Sequence, residues 1–264
     1  MKTKATLALV ACWAAGAFAT SYLGSVVNSW NGVYTYPSGG KMPLGLCYGD
    51  GYMYVMYDGL FAKREPREGS IVDVLGLPKP GPREVAFDPG RRRIWCGCEE
   101  AGVYLLHPET GSYVASFPLP GVIPNAAAIC YDRLSPAAPL WLTDVMTWRI
   151  WNLTTAGSIA RSIRVPITNV TGLAYDNNTA GGPYLFAGAW TDKSRIYAVD
   201  PATGSILYTF AAPVTGTRLQ GLTWDGEYLW TNDSKNGYLV QFVAHEPNLN
   251  VTPASVGRIR ALFR

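Results

Sequence analysis

Histidine is nearly absent from this sequence, with two copies in 264 residues, His107 and His245. That scarcity leaves no material for a multi-histidine metal site, and it undercuts a Ser-His-Asp arrangement as well. Charge is sparse too, at 16% of residues with a formal balance of +3. A chain so close to neutral lacks the basic footprint of a nucleic-acid binder. No Gly-rich phosphate loop bridges a strand and a helix, and nothing reads as a long helix. What remains is an aromatic chain rich in turns, with 28 Gly, 19 Pro, 9 Trp and 16 Tyr. That mixture suits many short strands joined by tight turns.

The first nineteen residues read as an export signal. Lys2 and Lys4 precede an apolar run from Ala5 to Gly16, and Ala17-Phe18-Ala19 offers a small-residue cleavage site before Thr20. The run is too short to span a bilayer as a helix. Leu9-Val10-Ala11-Cys12 could pass for a lipidation box, although it lies very early and the apolar stretch continues past it. Export implies a secreted or cell-surface protein. Loss of the two lysines leaves twenty basic against nineteen acidic side chains, about +1 overall.

Five Gly-Ser pairs each open a strand-like run: Gly24-Ser25, Gly69-Ser70, Gly111-Ser112, Gly157-Ser158 and Gly204-Ser205. Their spacings of 45, 42, 46 and 47 residues match the period of a four-stranded propeller blade. The first copy has no blade before it, and the last blade-like stretch, ending near Phe242, has no Gly-Ser strand behind it. This offset predicts an all-β, five-bladed β-propeller of four-stranded antiparallel blades over 20–243, with strand 24–30 completing the last blade. Residues 244–264 then read as a linker and a basic tail carrying Arg258, Arg260 and Arg264. The tail is either a frayed end or an attachment segment. A monomer is expected.

Within each unit the innermost strand ends on a small residue and an aromatic, usually followed by an acid. The five copies are Cys47-Tyr48, Ala86-Phe87-Asp88, Cys130-Tyr131-Asp132, Ala174-Tyr175-Asp176 and Thr223-Trp224-Asp225. Because Cys47 and Cys130 share a position with alanines and a threonine, they read first as small core residues, with a disulfide or a metal pair as the alternatives. Cys96 and Cys98, two apart on one strand, make a poor mutual disulfide. The turn Asp200-Pro201-Ala202-Thr203-Gly204 and the segment Gly221-Leu222-Thr223-Trp224-Asp225-Gly226 resemble the YVTN and NHL-like group of propeller repeats. That resemblance implies a propeller and no particular activity.

Ring topology says where a ligand would sit. The D-to-A connections and B-to-C turns share one face, on which the innermost strands begin. Those beginnings supply Arg83 and Glu84, Asn125, Asn169 and Thr171, and Arg218 and Gln220. The B-to-C turns add Asp58, Glu99, Asp144, Trp148, Trp190, Asp192 and Asp233. Acids are common in turns, so turn chemistry explains them more simply than ligand or calcium binding would. Trp148 and Trp190 suit either sugar stacking or the capping of blade contacts. Glu84 is the best carboxylate for proton transfer, since a channel wall would desolvate it. An ion pair with Arg83 is the simpler expectation. His107, aligned with Asn152 and Asp200, is expected in a C-to-D turn, and His245 beyond the ring.

These features point to a non-catalytic module binding an extracellular protein, peptide or glycan, with no cofactor. A second resemblance offers an enzyme instead. Leu219-Gln220-Gly221-Leu222 resembles the Gln-Gly-Leu blade opening of five-bladed glutaminyl-peptide cyclotransferases. In that chemistry a channel carboxylate shuttles a proton while the N-terminal amine displaces the glutamine amide. The resemblance implies Glu84 as that carboxylate, with Gln220 and Asn125 orienting the substrate. The chain departs from the family in having no Tyr-Glu-x-Thr-Gly-like segment and no matching lysine and asparagine. A glycan-binding or glycan-cleaving propeller is a third alternative.

Overall fold

The computed structural model describes residues 23–31, 42–78, 82–98, 102–124, 126–144, 147–189, 195–214, 219–233 and 237–245. Residues 1–22, the segment from Glu246 onward, and the candidate residues Glu99, Asn125, Trp190, Asp192 and Arg218 lie outside them. Among the described residues twenty strands form five four-stranded antiparallel sheets. β1 (Val26–Trp30) stands alone at the start. Blade one holds β2 (Gly45–Gly49), β3 (Tyr52–Tyr57), β4 (Leu60–Arg64) and β5 (Ile71–Gly76). Blade two holds β6 (Pro82–Asp88), β7 (Arg93–Cys98), β8 (Gly102–Leu106) and β9 (Tyr113–Pro118). Blade three holds β10 (Ala126–Tyr131), β11 (Leu140–Asp144), β12 (Arg149–Leu153) and β13 (Ile159–Arg164). Blade four holds β14 (Val170–Asp176), β15 (Tyr184–Ala189), β16 (Arg195–Val199) and β17 (Ile206–Ala211). Blade five holds β18 (Leu219–Trp224), β19 (Leu229–Asp233) and β20 (Tyr238–Phe242), and β1 is its outer strand.

The innermost strands close a ring: β2 packs on β6, β6 on β10, β10 on β14, β14 on β18, and β18 on β2. The core lies between blades rather than inside them. The buried apolar side chains divide into five clusters, one at each blade-to-blade interface. This explains why the central strands are apolar on both faces, and why one blade alone could not bury its own surface. The interface of blades five and one includes Trp30 and Trp230, whose ring centroids are 4.9 Å apart. The closing strand thus adds core as well as ladder bonds.

The Gly-Ser repeat has a two-part physical cause. All five glycines are left-handed, with φ between 70° and 85°, where a side chain is strained. Each also abuts the outer strand of the preceding blade. A β-carbon on Gly111 would lie 2.6 Å from the Gly76 carbonyl oxygen, and one on Gly204 would lie 2.5 Å from that of Arg164. Gly24 meets Ala211, Gly69 meets Trp30 and Gly157 meets Phe117 in the same way. Turn and interface both require the absence of a side chain.

Two histidine expectations change. His107 does open the C-to-D turn, but its counterpart in blade three is Thr154. The backbone N–H of each donates to the serine carbonyl of the Gly-Ser pair, at 2.9 Å. Asn152 instead lies inside β12, and its Nδ2 donates to the carbonyls of Ala138 and Leu140 at 2.7 and 3.2 Å. The compact unit runs from Leu23 to His245. Ala244 is buried, and the His245 ring packs beside Tyr184, Phe186 and Trp224 at centroid distances of 4.7, 5.2 and 5.4 Å. The ring therefore takes in two residues that the sequence assigns to the tail.

Candidate functional site

Each innermost strand enters the ring at the face shared by the D-to-A connections and B-to-C turns, here the upper face, and leaves at the lower one. Four of the five carry an irregularity near the upper end, between Pro82 and Glu84, Ala126 and Ala128, Val170 and Gly172, and Gln220 and Leu222. Such bulges redirect side chains and sharpen the local twist. Just below them the ring narrows. Counting back two residues from each small residue of the repeat gives Gly45, Glu84, Ala128, Gly172 and Gly221. Four blades present glycine or alanine at this waist, and blade two presents a glutamate.

The glycines make room for it. A β-carbon on Gly45 would lie 2.8 Å from the Glu84 Cα, and one on Gly221 would lie 3.1 Å from Glu84 Oε1. The carboxyl therefore reaches from blade two to the backbone of blade five. Glu84 is 1% exposed, and neither of its oxygens has a hydrogen-bond partner. Burial pushes its carboxyl well above the usual carboxylate range. The neighbouring Val85 N–H pulls the other way without reaching hydrogen-bonding geometry. Desolvation dominates, so the group tends to hold its proton.

The expected ion pair with Arg83 does not form: Arg83 is exposed while the Glu84 oxygens stay unpartnered. Two further acceptors on the upper half, Gln220 Oε1 and Asn232 Oδ1, are also buried without a donor. They face each other across the β18–β19 ladder, where Gln220 pairs with Asn232. Thr171 is spent on the wall, its Oγ1 donating to the Leu219 carbonyl at 2.6 Å. Asp144 and Asp233 end β11 and β19 and are buried at 2% and 3% exposure. Asp58 lies in the β3–β4 turn. Trp148 is 46% exposed and belongs to none of the five buried interface clusters. It and Asn169 both hold a left-handed backbone, φ 53°. Among the described residues no three His, Cys, Asp or Glu side chains gather as a metal site.

Below the waist the channel opens into a cavity of about 40 Å³. One aromatic per blade borders it: Tyr48, Phe87, Tyr131, Tyr175 and Trp224. Cys47 and Cys130 line it as free, buried thiols, pushed up chiefly by burial and then by neighbouring carboxylates, Glu84 among them. With Cys96 also free, no disulfide joins these three. The aromatics link the blades by a relay to acids. The Tyr131 hydroxyl hydrogen-bonds Asp88 of the preceding blade, and burial with this carboxylate raises its pKa to about 12. Tyr175 bonds Asp132 in the same way. Where the relay lapses, both partners change together: Phe87 has no hydroxyl, and its partner position holds Gly49, on which a β-carbon would overlap the Phe87 ring. In blade five the aromatic is Trp224, and His245 takes the acid instead. Its Nε2 lies 2.7 Å from Asp176 Oδ2, and its Nδ1 is 2.9 Å from the Tyr208 hydroxyl.

Sequence reasoning did not find the glycine waist, the cavity or the His245 contact. The waist had a signal, since aligning the innermost strands on their small-aromatic pairs sets Glu84 against three glycines and an alanine.

Comparison with known proteins adds the architecture. The chain is similar to glutaminyl cyclase from Myxococcus xanthus, with a TM-score of 0.65 and 14% identity over 82% of this chain and 94% of that one. It is also similar to the Cps50 (Swd1) β-propeller domain of Myceliophteria thermophila, with a TM-score of 0.53 and 10% identity over 84% and 99%. The chain is a five-bladed β-propeller. At these identities the likeness is one of fold. No protein family profile and no curated protein matches the sequence.

Proposed function

We propose that this chain is an exported binding module whose channel takes the hydrogen-bond-donating end of an extracellular protein, peptide or glycan. The observation that carries this reading is Glu84, a fully buried carboxyl with two unpartnered oxygens at a waist otherwise built of glycine and alanine. Gln220 Oε1 and Asn232 Oδ1 on the upper half are further buried acceptors without donors. A buried acceptor without a partner is costly, and a ligand amine or hydroxyl would supply what is missing. Binding of the mature chain to peptides with free or acetylated amines, and to a glycan array, tests this. Glu84→Gln should weaken capture of the preferred ligand roughly tenfold or more. Turnover of a substrate by the mature chain, abolished by Glu84→Gln, would overturn the non-catalytic reading. For a glycan ligand the exposed Trp148 is the stacking surface, and Trp148→Ala should lose the binding.

A second reading is favoured by the desolvated state of the same carboxyl together with the fold shared with a glutaminyl cyclase. Here Glu84 passes a proton from the attacking N-terminal amine toward the leaving ammonia. The amide C–N bond of glutamine breaks as the ring C–N bond forms. Ammonia release from a peptide with N-terminal glutamine decides it, and no release at micromolar enzyme removes this reading.

A further inference from the structure

The channel has a second end, and its chemistry is the opposite of the waist. Among the residues lining the lower cavity the only cation is Arg133. The repeat singles it out: the positions following the acids of the other blades hold Pro89, Asn177 and Gly226. Arg133 makes no hydrogen bond or ion pair with any described residue, whereas nearby Arg91 is spent on Asp88 at 2.8 Å and Arg92 on Asp50 at 2.6 Å. Its charge reaches Tyr48, two blades away, and acts to lower that hydroxyl's pKa against the raising effects of burial and Asp225. Arg133 itself lines the mouth. The Asn177 and Asn178 side chains line the same mouth with no described hydrogen-bond partner.

A cation would find few open partners here. The acids that follow the cavity aromatics already have partners: Asp88 has Arg91 and Trp95, Asp176 has His245, and Asp225 has Trp230 and Gln241. Asp132 accepts from Tyr175 and from the Leu134 N–H. Three of the five aromatic rings are covered as well, since Phe87 stacks on Tyr54, Tyr175 on Trp141 and Trp224 on Phe186. A cation–π cage needs open faces. The groups still seeking partners are donors.

We propose that this lower mouth is a second ligand site, independent of the acceptor set above it, which takes a carboxylate carried on a short apolar stem. The Arg133 guanidinium offers a planar pair of N–H donors to two carboxylate oxygens, and the Asn177 and Asn178 amides offer further donors beside it. A cavity of about 40 Å³ holds roughly three waters. It therefore admits the carboxylate with one or two carbons, and the remainder of the ligand stays outside. A free short-chain acid and the C-terminus of a peptide present this same chemistry.

Titration of the full mature chain, followed by Trp fluorescence and calorimetry, tests the site. The probes are propionate, its neutral isostere propionamide, and one pentapeptide with a free or an amidated C-terminus. Saturable binding of propionate or of the free-ended peptide is expected, with the corresponding amide at least tenfold weaker. Whichever acid saturates identifies the source. Arg133→Gln, at an exposed side chain, should fold normally and weaken binding about tenfold or more, while Arg92→Gln should leave it within about twofold. The site is refuted if neither acid saturates by about 50 mM, if the amides bind as tightly, or if Arg133→Gln binds like the wild type. None of these outcomes bears on ligand capture at Glu84, which is read with amines.

Discussion

Val243 holds Ser25 as His107 holds Ser112, although the first pair comes from opposite ends of the ring's sequence. The Val243 N–H donates to the Ser25 carbonyl at 3.0 Å, and the Gly24 N–H donates to the Val243 carbonyl at 2.8 Å. The same two bonds close the continuous turns, with His107, Ser112 and Gly111 in these roles at 2.9 Å each. Closure therefore reproduces an ordinary C-to-D turn with a cut chain.

Deleting residues 20–30 removes that turn, the β1–β20 ladder and the Trp30 contact with Trp230. The melting temperature should fall by more than about 10 °C, measured by circular dichroism. An unchanged melt would refute closure by this strand.

The ring should end at His245. A chain truncated after His245 should melt like the full one. Truncation after Val243 removes the His245 contact with Asp176 and Tyr208 and should cost about 2 kcal/mol. Equal stability of the two truncations would count against a structural role for His245.

Glu84 makes stability depend on pH in a particular direction. Its folded pKa is raised, so the group costs nothing below the ordinary carboxylate range, where folded and unfolded chains are both protonated. Stability is then lost as pH rises from that range toward the folded pKa. Glu84→Gln cannot ionise. It should match the wild type near pH 4 and melt higher at pH 7 to 8. Asp176 runs the other way. Burial works to raise its carboxyl, but the hydrogen bonds from His245, Thr179 and the Asn178 and Thr179 backbones outweigh it and hold it below the usual value. Its contribution is present above the ordinary aspartate range and is lost as acid titrates the folded group. Asp176→Asn should therefore narrow its deficit against wild type at low pH. Melting curves across pH check both slopes.

The relay between blades predicts unequal costs. Tyr175→Phe leaves Asp132 short of a donor and should cost about 1–2 kcal/mol in urea unfolding. Gly49→Ala drives a β-carbon into the Phe87 ring and should cost about 2–3 kcal/mol. A neutral Gly49→Ala would show that the two blades can separate freely at this point.

Much of the fold was legible because it is written five times. A glycine that must be left-handed and must also fit against a neighbouring strand leaves the same residue in every copy, and the small-aromatic-acid ending does likewise. The candidate site is written once, so repetition helps only by contrast. Glu84 is visible as an acid on the channel wall, yet the adjacent Arg83 suggests a partner. Which of two neighbouring side chains points inward depends on a bulge that the sequence does not mark. The waist is room left by Gly45, Gly172 and Gly221 on three separate strands, and no one of these glycines marks it alone. His245 follows the last strand, where no periodic pattern remains to show that it folds back onto Asp176.

Because the cut turn keeps both bonds of an intact one, the ring has no preferred place for its ends. A circular permutant joining His245 to Leu23 through a short linker, and opened instead within the turn between His107 and Ser112, would contain the same five blades. Its new termini would take over the work that Val243 and Ser25 do now. Both openings of the channel would be left as they are, so the folded ring itself does not dictate where its ends lie.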